Sequence, residues 1–296
     1  MTYQIALLLN IAANSYQRAL ADEARETARK HGFELLPPSF ANGSAMEQGS
    51  AALAYSRQNV SACLIYPVVA DMLVNVCQIL ARGGASVAFL AQPPGEIGRV
   101  RESNRDVLVT AVVSDQRELG RLQGQQCIRL LPGGGSVVLI EGPAEADIAQ
   151  ARLAGFQEVV GSHLRVQSLY GRWEDEEAER VLTAWLSSPG RKLDVVACQN
   201  DAMARGARAA LNKAADRLGE PRLRSVPVTG IDAVPSDGQR RVSTGELTAT
   251  VENPRTSGPA IELLAAFWKQ GARTEHQVLK ARSLPPLDQL KAISEP

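Results

Sequence analysis

The sequence predicts an α/β fold made of two parallel sheets, each flanked by helices. Three observations carry that prediction. Short apolar runs of β-type residues alternate with longer stretches of helical period along the chain. The runs are continuously apolar rather than alternating, the signature of strands covered on both faces. A chain of 296 residues and 31.7 kDa also suits two such units better than one very wide sheet.

The predicted strands are Ile5–Leu9, Cys63–Tyr66, Val87–Leu90, Leu108–Val113, Val137–Ile140, Val166–Tyr170, Val195–Cys198, Val226–Thr229 and Thr248–Val251. Helical period occupies 15–31, 45–58, 70–82, 115–131, 146–160, 174–187, 201–218 and 256–270. The stretch 115–131 shows the logic. Leu119, Leu122, Gln126 and Leu130, with Ile128 and Leu131, form one stripe; Asp115 can cap its start and Pro132-Gly133 stops it. Gly95 to Arg105 reads as a polar connection between strands, and Val113-Ser114-Asp115 opens a second series. A return to the first unit near Glu252-Asn253-Pro254 gives one lobe of 1–114 plus 253–282, a second of 115–252, and a trailing tail of 283–296 after the last strands.

Composition excludes several classes. Apolar residues are 45% and charged residues 22%, so the chain can build a core. Lys plus Arg equals Asp plus Glu at 32 each, which leaves no electrostatic footprint for nucleic acid. No apolar run approaches the ~20 residues of a membrane span. The Ile5–Leu9 run has no Lys or Arg before it, so the chain as it stands carries no export signal. Two locations stay open: cytoplasmic, or periplasmic after removal of a leader. The four cysteines, Cys63, Cys77, Cys127 and Cys198, show no zinc-like spacing; they read as small buried hydrophobes, a usage that suits a reducing compartment.

Catalytic and cofactor motifs are missing. Gly133-Gly134-Gly135-Ser136 lacks the lysine of a phosphate-binding loop, no GxGxxG opens a helix, and no GxSxG elbow occurs. His31, His163 and His276 are scattered, the first two at helix ends where a solvated cation is the ordinary reading. The acidic run Glu174–Glu177 falls in a helix's first turn, where it complements the macrodipole. The expectation is a protein with no catalytic set, no metal and no cofactor.

What the strand ends do offer is a set of polar and flat side chains. In open α/β sheets, ligands bind beyond the carboxyl ends of the strands. There lie Asn10, Asn14, Tyr16 and Gln17 after the first strand, and Gln92 after Val87–Leu90. Arg152 comes early in the helix after Val137–Ile140, Trp173 follows Val166–Tyr170, and Asn200 follows Val195–Cys198. Asp232 follows the next strand, and Glu252 and Asn253 follow the last. Amides, one guanidinium, carboxylates and aromatic faces together suit a polyhydroxylated ligand. Each has a structural alternative. Asn14, Asn200 or Asp201 can cap helices, Tyr16 can be core, Asp232 can form a turn with Pro235, Glu252 and Asn253 can simply end a strand, and Arg152 can pair with Glu145 or Asp147 at the surface.

Asn200-Asp201-Ala202-Met203-Ala204, with Gly206-Ala207 and Ala210-Leu211, resembles the NDxMAxGAxxAL segment of type I periplasmic sugar-binding proteins. Val228–Asp232 is similar to their VxGFD, Gly245–Val251 to GxLxATV, and Arg152–Phe156 to RxxGF. Ser114-Asp115 with Gly120 and Gly124, together with Tyr66-Pro67, fit the same pattern, so the likeness spans about 3–270 in order. The chain resembles the ribose-binding-like members, and lactose-repressor-type ligand domains share the pattern. The resemblance implies two Rossmann-like lobes joined by a three-strand hinge (periplasmic-binding-protein-like I), closing on a sugar for delivery to an ABC transporter permease. The alternative is a ligand-sensing domain for signalling or transcription regulation. Asn14 and Tyr16 would be cleft residues of lobe one, Arg152, Trp173 and Asn200 of lobe two, and Asp232 would accept ligand hydroxyls. Where ribose-type members carry Asp-Arg, this chain has Ala91-Gln92, and Ile231 replaces a Phe. Fewer anchors imply a deoxy sugar, a polyol or another small polar solute.

Overall fold

The computed structural model describes residues 2–293. By internal contact the chain divides into two units, one running to Ser114 with Arg255–Leu279, the other Asp115–Pro254 with the segment from Lys280. The chain therefore passes from one unit to the other three times.

The first unit, lobe one, runs β1 (Gln4–Leu9), α1 (Ser15–His31), β2 (Glu34–Leu35), β3 (Ser39–Phe40), α2 (Ala45–Ser56), β4 (Ala62–Ile65), α3 (Val74–Arg82), β5 (Ser86–Phe89), α4 (Ile97–Ser103) and β6 (Val109–Ser114). Lobe two follows with α5 (Gln116–Leu130), β7 (Gly135–Glu141), α6 (Asp147–Val160), β8 (Leu164–Tyr170), α7 (Asp175–Leu186), β9 (Val195–Cys198), α8 (Asp201–Leu218), β10 (Val228–Asp232), α9 (Arg240–Ser243) and β11 (Ala249–Glu252). Then α10 (Ser257–Gln270) and β12 (His276–Leu279) rejoin lobe one, and β13 (Arg282–Leu284) returns to lobe two.

Lobe one holds a seven-stranded sheet in the order β12-β6-β5-β4-β1-β2, with β3 also on β1, and every pairing is parallel. Lobe two holds six strands in the order β13-β11-β10-β9-β7-β8, parallel except where β13 meets β11. The continuous apolar strands are explained by what covers each face. In lobe two Val138, Ile140, Val196 and Cys198 pack with Leu182 of α7 and Met203, Ala207 and Leu211 of α8. Their neighbours Val137, Leu139, Val195 and Ala197 pack with Cys127 and Leu130 of α5 and Phe156 and Val160 of α6. In lobe one Leu8, Cys63, Ile65, Val87 and Phe89 pack with Leu80 and Cys77 of α3.

Asp115 caps α5 as expected, its carboxylate accepting from the amides of Arg117 and Glu118. Several elements differ from the sequence expectation. Gly95 to Arg105 is not merely a polar connection: it contains α4, which buries Ile97 and Val100. The helix expected over 70–82 begins as a tight 3₁₀ turn at Ala70–Leu73 before α3. The segment expected to trail does not do so up to Ile293, because β13 adds to β11 and the Ile293 amide donates to the Leu130 carbonyl; residues 294–296 lie outside the described residues. Of the two helix-end histidines, His163 is exposed as expected and His31 is half-buried. His31 bonds Glu262 and stacks on Phe33, and His163 bonds the Leu131 carbonyl. All four thiols are free and buried; burial pushes Cys77 and Cys127 up to about 12, and Cys63 and Cys198 well above the usual thiol range.

Candidate functional site

Lobe two gathers its predicted residues around Arg152. Its side chain is not the surface partner of Glu145 or Asp147; it is 4% exposed and ringed by polar groups. Nε donates to Gln116 Oε1 at 2.9 Å, one terminal nitrogen donates to the Gln199 carbonyl, and the other stands 3.8 Å from Asp232 Oδ1. The guanidinium carbon lies 5.5 Å from the centre of the Trp173 ring, a cation–π distance.

Asp232 ends β10 at φ +122°, with Ala233 at +50°, a backbone that side-chain-bearing residues adopt at a cost. Its carboxylate accepts from Asn253 Nδ2 at 3.4 Å. Burial pushes its carboxyl up to about 6; Arg152 and Asn253 pull the other way, and Asp237 adds a further rise. Arg152 does not outweigh burial, since a 3.8 Å approach is too long for a hydrogen bond and its other donors point elsewhere.

Asn200, not Asp201, caps α8: its side-chain oxygen accepts from the Met203 amide at 2.8 Å. Its amide nitrogen donates to the Trp173 carbonyl at 3.1 Å, holding the Arg172-Trp173 turn, where both residues have positive φ. Asp201, read as a cap from the sequence, is a buried brace. Its oxygens accept from Thr250 Oγ1 and the Ala233 amide, each at 2.7 Å, tying α8 to β11 and to the residue after Asp232. Burial first, then the neighbouring Asp232, holds this carboxyl well above the ordinary carboxylate range. Gly230 and Gly238 make room for it: a Cβ would stand 2.1 Å from Oδ1 at Gly230 and 1.9 Å from Oδ2 at Gly238. Glu252 is engaged by Arg282 of β13, while Asn253 bonds Asp232.

The lobe-one candidates form a local network of their own. Asn14 caps α1 by accepting from the Gln17 amide, Gln17 Oε1 accepts from the Asn10 amide, and Asn10 Oδ1 accepts from the Gly43 amide. Tyr16 is buried, its ring 6.3 Å from and edge-on to Tyr66. Gln92 is exposed in the loop after β5.

Sequence reasoning missed Gln116, Gln199 and Asp201. Gln199 is almost fully buried, with its side chain clamped between the Gly142 amide and the Ala149 carbonyl. Its position at the carboxyl end of β9, directly before Asn200, was the available signal. Among the described residues, no group of three or more His, Cys, Asp or Glu is placed to hold a metal, and no helix is long and apolar enough to cross a membrane.

The family described as periplasmic binding protein domain matches residues 5–267. The ribose import binding protein of Escherichia coli is 26% identical over 282 residues, covering 95% of this chain and 86% of that one. The xylitol-binding protein of Mycolicibacterium smegmatis is 29% identical over 229 residues, covering 75% of this chain. The alignments span 60% of the length of two of the curated relatives, the xylitol-binding protein among them. Among solved structures, an ABC transporter periplasmic solute binding protein from Actinobacillus succinogenes 130z with bound D-allose matches with a TM-score of 0.83. Its identity is 21%, with 97% of this chain and 99% of that one covered, a likeness of fold.

Proposed function

The chain belongs to the periplasmic binding protein family, and we propose that it captures a sugar or polyol and delivers it to an ABC importer. The observation that carries this reading is the buried Arg152–Asp232 pair with Trp173 beside it. Asp232 accepts ligand hydroxyls, Arg152 donates to a ligand oxygen, and the Trp173 ring covers the ligand's C–H surface. Asn200 and Asn253 extend the polar set, and Gln116 and Gln199 hold Arg152 in place before ligand arrives. That preorganisation lowers the cost of binding. Glu252, with Asn10, Asn14, Tyr16, Gln17 and Gln92 of lobe one, is assigned as further ligand contact.

The names of the relatives support the ligand class: one binds xylitol and another serves ribose import. They also favour import over a sensing role, and with it a periplasmic location and a permease partner. Nothing in this reading requires a catalytic step. The test is a thermal-shift screen of pentoses, hexoses, deoxy sugars and polyols, confirmed by calorimetry. A ligand at 100 times its Kd raises stability by about 2.7 kcal/mol, a clear shift in midpoint. A sugar or polyol hit is expected. A panel without any shift overturns the ligand class.

A further inference from the structure

Away from Arg152, lobe two carries a groove of about 470 Å³ over the amino-terminal halves of β7 and β8. Its other wall is the end of α7 and the loop leading to β9. Arg165, Arg191 and Lys192 line it with the Trp185 indole, and among the described residues no acidic side chain does. The chain as a whole has a formal charge of zero, so this is a local concentration of positive charge.

The lobe leaves two of these three cations without an acid of their own. Arg165 directs Nε and one terminal nitrogen at a single neutral acceptor, Ser136 Oγ, at 3.3 and 3.2 Å. Among the described residues, neither Arg165 nor Lys192 is within ion-pair distance of a carboxylate. Arg191 shares Glu220 with Arg222, one carboxylate for two guanidinium groups, and its buried Nε has no hydrogen-bond partner. Asp194, the nearby acid, accepts from the Ser136 amide at 2.7 Å. A guanidinium fork held on a weak hydroxyl acceptor exchanges readily for a planar oxyanion, which accepts both donors with charge assistance. The volume exceeds what a bare anion fills and falls in the range of small-molecule sites, ~300–1,000 Å³.

We propose that this groove is a second ligand site, for a small organic phosphate or carboxylate whose apolar body lies against Trp185. Arg165 takes the oxyanion in its fork and Lys192 adds a second charge, while Arg191 stays anchored by Glu220. The site is independent of the sugar-binding reading, because it sits at the amino-terminal ends of strands whose carboxyl ends lead to Gly142 and Trp173.

The experiment titrates citrate, phenyl phosphate and inorganic phosphate into the full chain at constant ionic strength, by calorimetry and by tryptophan fluorescence. Citrate or phenyl phosphate is expected to bind saturably. Arg165→Gln with Lys192→Gln weakens that binding by roughly tenfold or more, as expected for lost charge-assisted bonds. Trp185→Phe removes the fluorescence change, and the thermal midpoint of the double variant matches the parent. Heats that do not saturate, equal affinity in the double variant, or a full signal in Trp185→Phe would overturn the site. Inorganic phosphate binding as tightly as phenyl phosphate would overturn the role given to Trp185.

Discussion

Arg152 and Asp232 face one another across 3.8 Å, with side chains 4% and 7% exposed, yet no direct hydrogen bond joins them. Arg152 is held by Gln116 and Gln199, and Asp232 by Asn253. The pair is thus fixed from outside rather than by its own contact, an arrangement in which a ligand oxygen can engage both charges.

Asp232→Asn keeps the shape of the side chain and removes its charge. Sugar or polyol affinity is expected to fall roughly ten- to a hundredfold, the loss of a charge-assisted bond of about 1.5–3 kcal/mol. Stability moves differently. Burial outweighs the pull of Arg152 on this carboxyl, so removing the charge relieves more than it costs at neutral pH. The melting midpoint is therefore expected to hold or rise while calorimetry shows the weakened binding. A variant that binds as tightly as the parent contradicts the assignment.

The raised Asp232 carboxyl also sets a pH dependence. Its value in the fold, about 6, lies above the ordinary 3.8, so the folded state binds the proton more tightly than the unfolded state. That contribution to stability is fully present below 3.8 and is lost as pH rises through about 6. Its size is about 3 kcal/mol. Asp201 contributes with the same sign, so the comparison that isolates Asp232 is the parent against Asp232→Asn. Urea unfolding between about pH 4 and 7 should show the smaller pH slope in the variant. Equal slopes would contradict the coupling.

Asp201 reaches Asp232 through the backbone, since its carboxylate holds the amide of Ala233, the next residue. Gly238→Ala places a methyl 1.9 Å from Asp201 Oδ2 and must displace it. The expected cost is about 1–3 kcal/mol of stability, as for other overpacked interiors. Ligand affinity falls with it as the β10 end shifts. Thermal melts and calorimetry on Gly238→Ala check both effects, and an unchanged midpoint would show that the brace is dispensable.

How far these features could be read in advance depended on how local their causes are. The apolar runs around Leu7, Leu64, Val196 and Val251, and the Asp115 cap, follow from neighbouring residues, and their strands and helix appear where expected. Helix α4 was hidden because only Ile97 and Val100 face inward among charged neighbours. Strands β2 and β13 exist only by pairing with β1 and β11, which no short-range pattern reveals. The site divides similarly. Arg152, Asp232 and Asn253 stood out as polar residues at strand ends. Gln116 and Gln199 reach Arg152 from 36 and 47 residues away, so their role appears only once the lobe has folded. Asn200 and Asp201 are adjacent and both suit a helix cap; what separates them is Thr250 and the Ala233 amide, brought in by tertiary packing.

Tryptophan emission gives the last test, because the three indoles have different surroundings. Trp268 belongs to lobe one and stacks on Tyr3 at 3.9 Å. Trp185 packs on the α7 and α8 side of the lobe-two core and lines the cationic groove. Trp173 alone stands by Arg152, with its backbone held by Asn200. Addition of a sugar or polyol that passes the thermal screen should change the emission of the parent. The change should vanish in Trp173→Phe and persist in Trp185→Phe, the reverse of the pattern expected for phenyl phosphate or citrate. A sugar signal retained in full by Trp173→Phe would remove Trp173 from the ligand site.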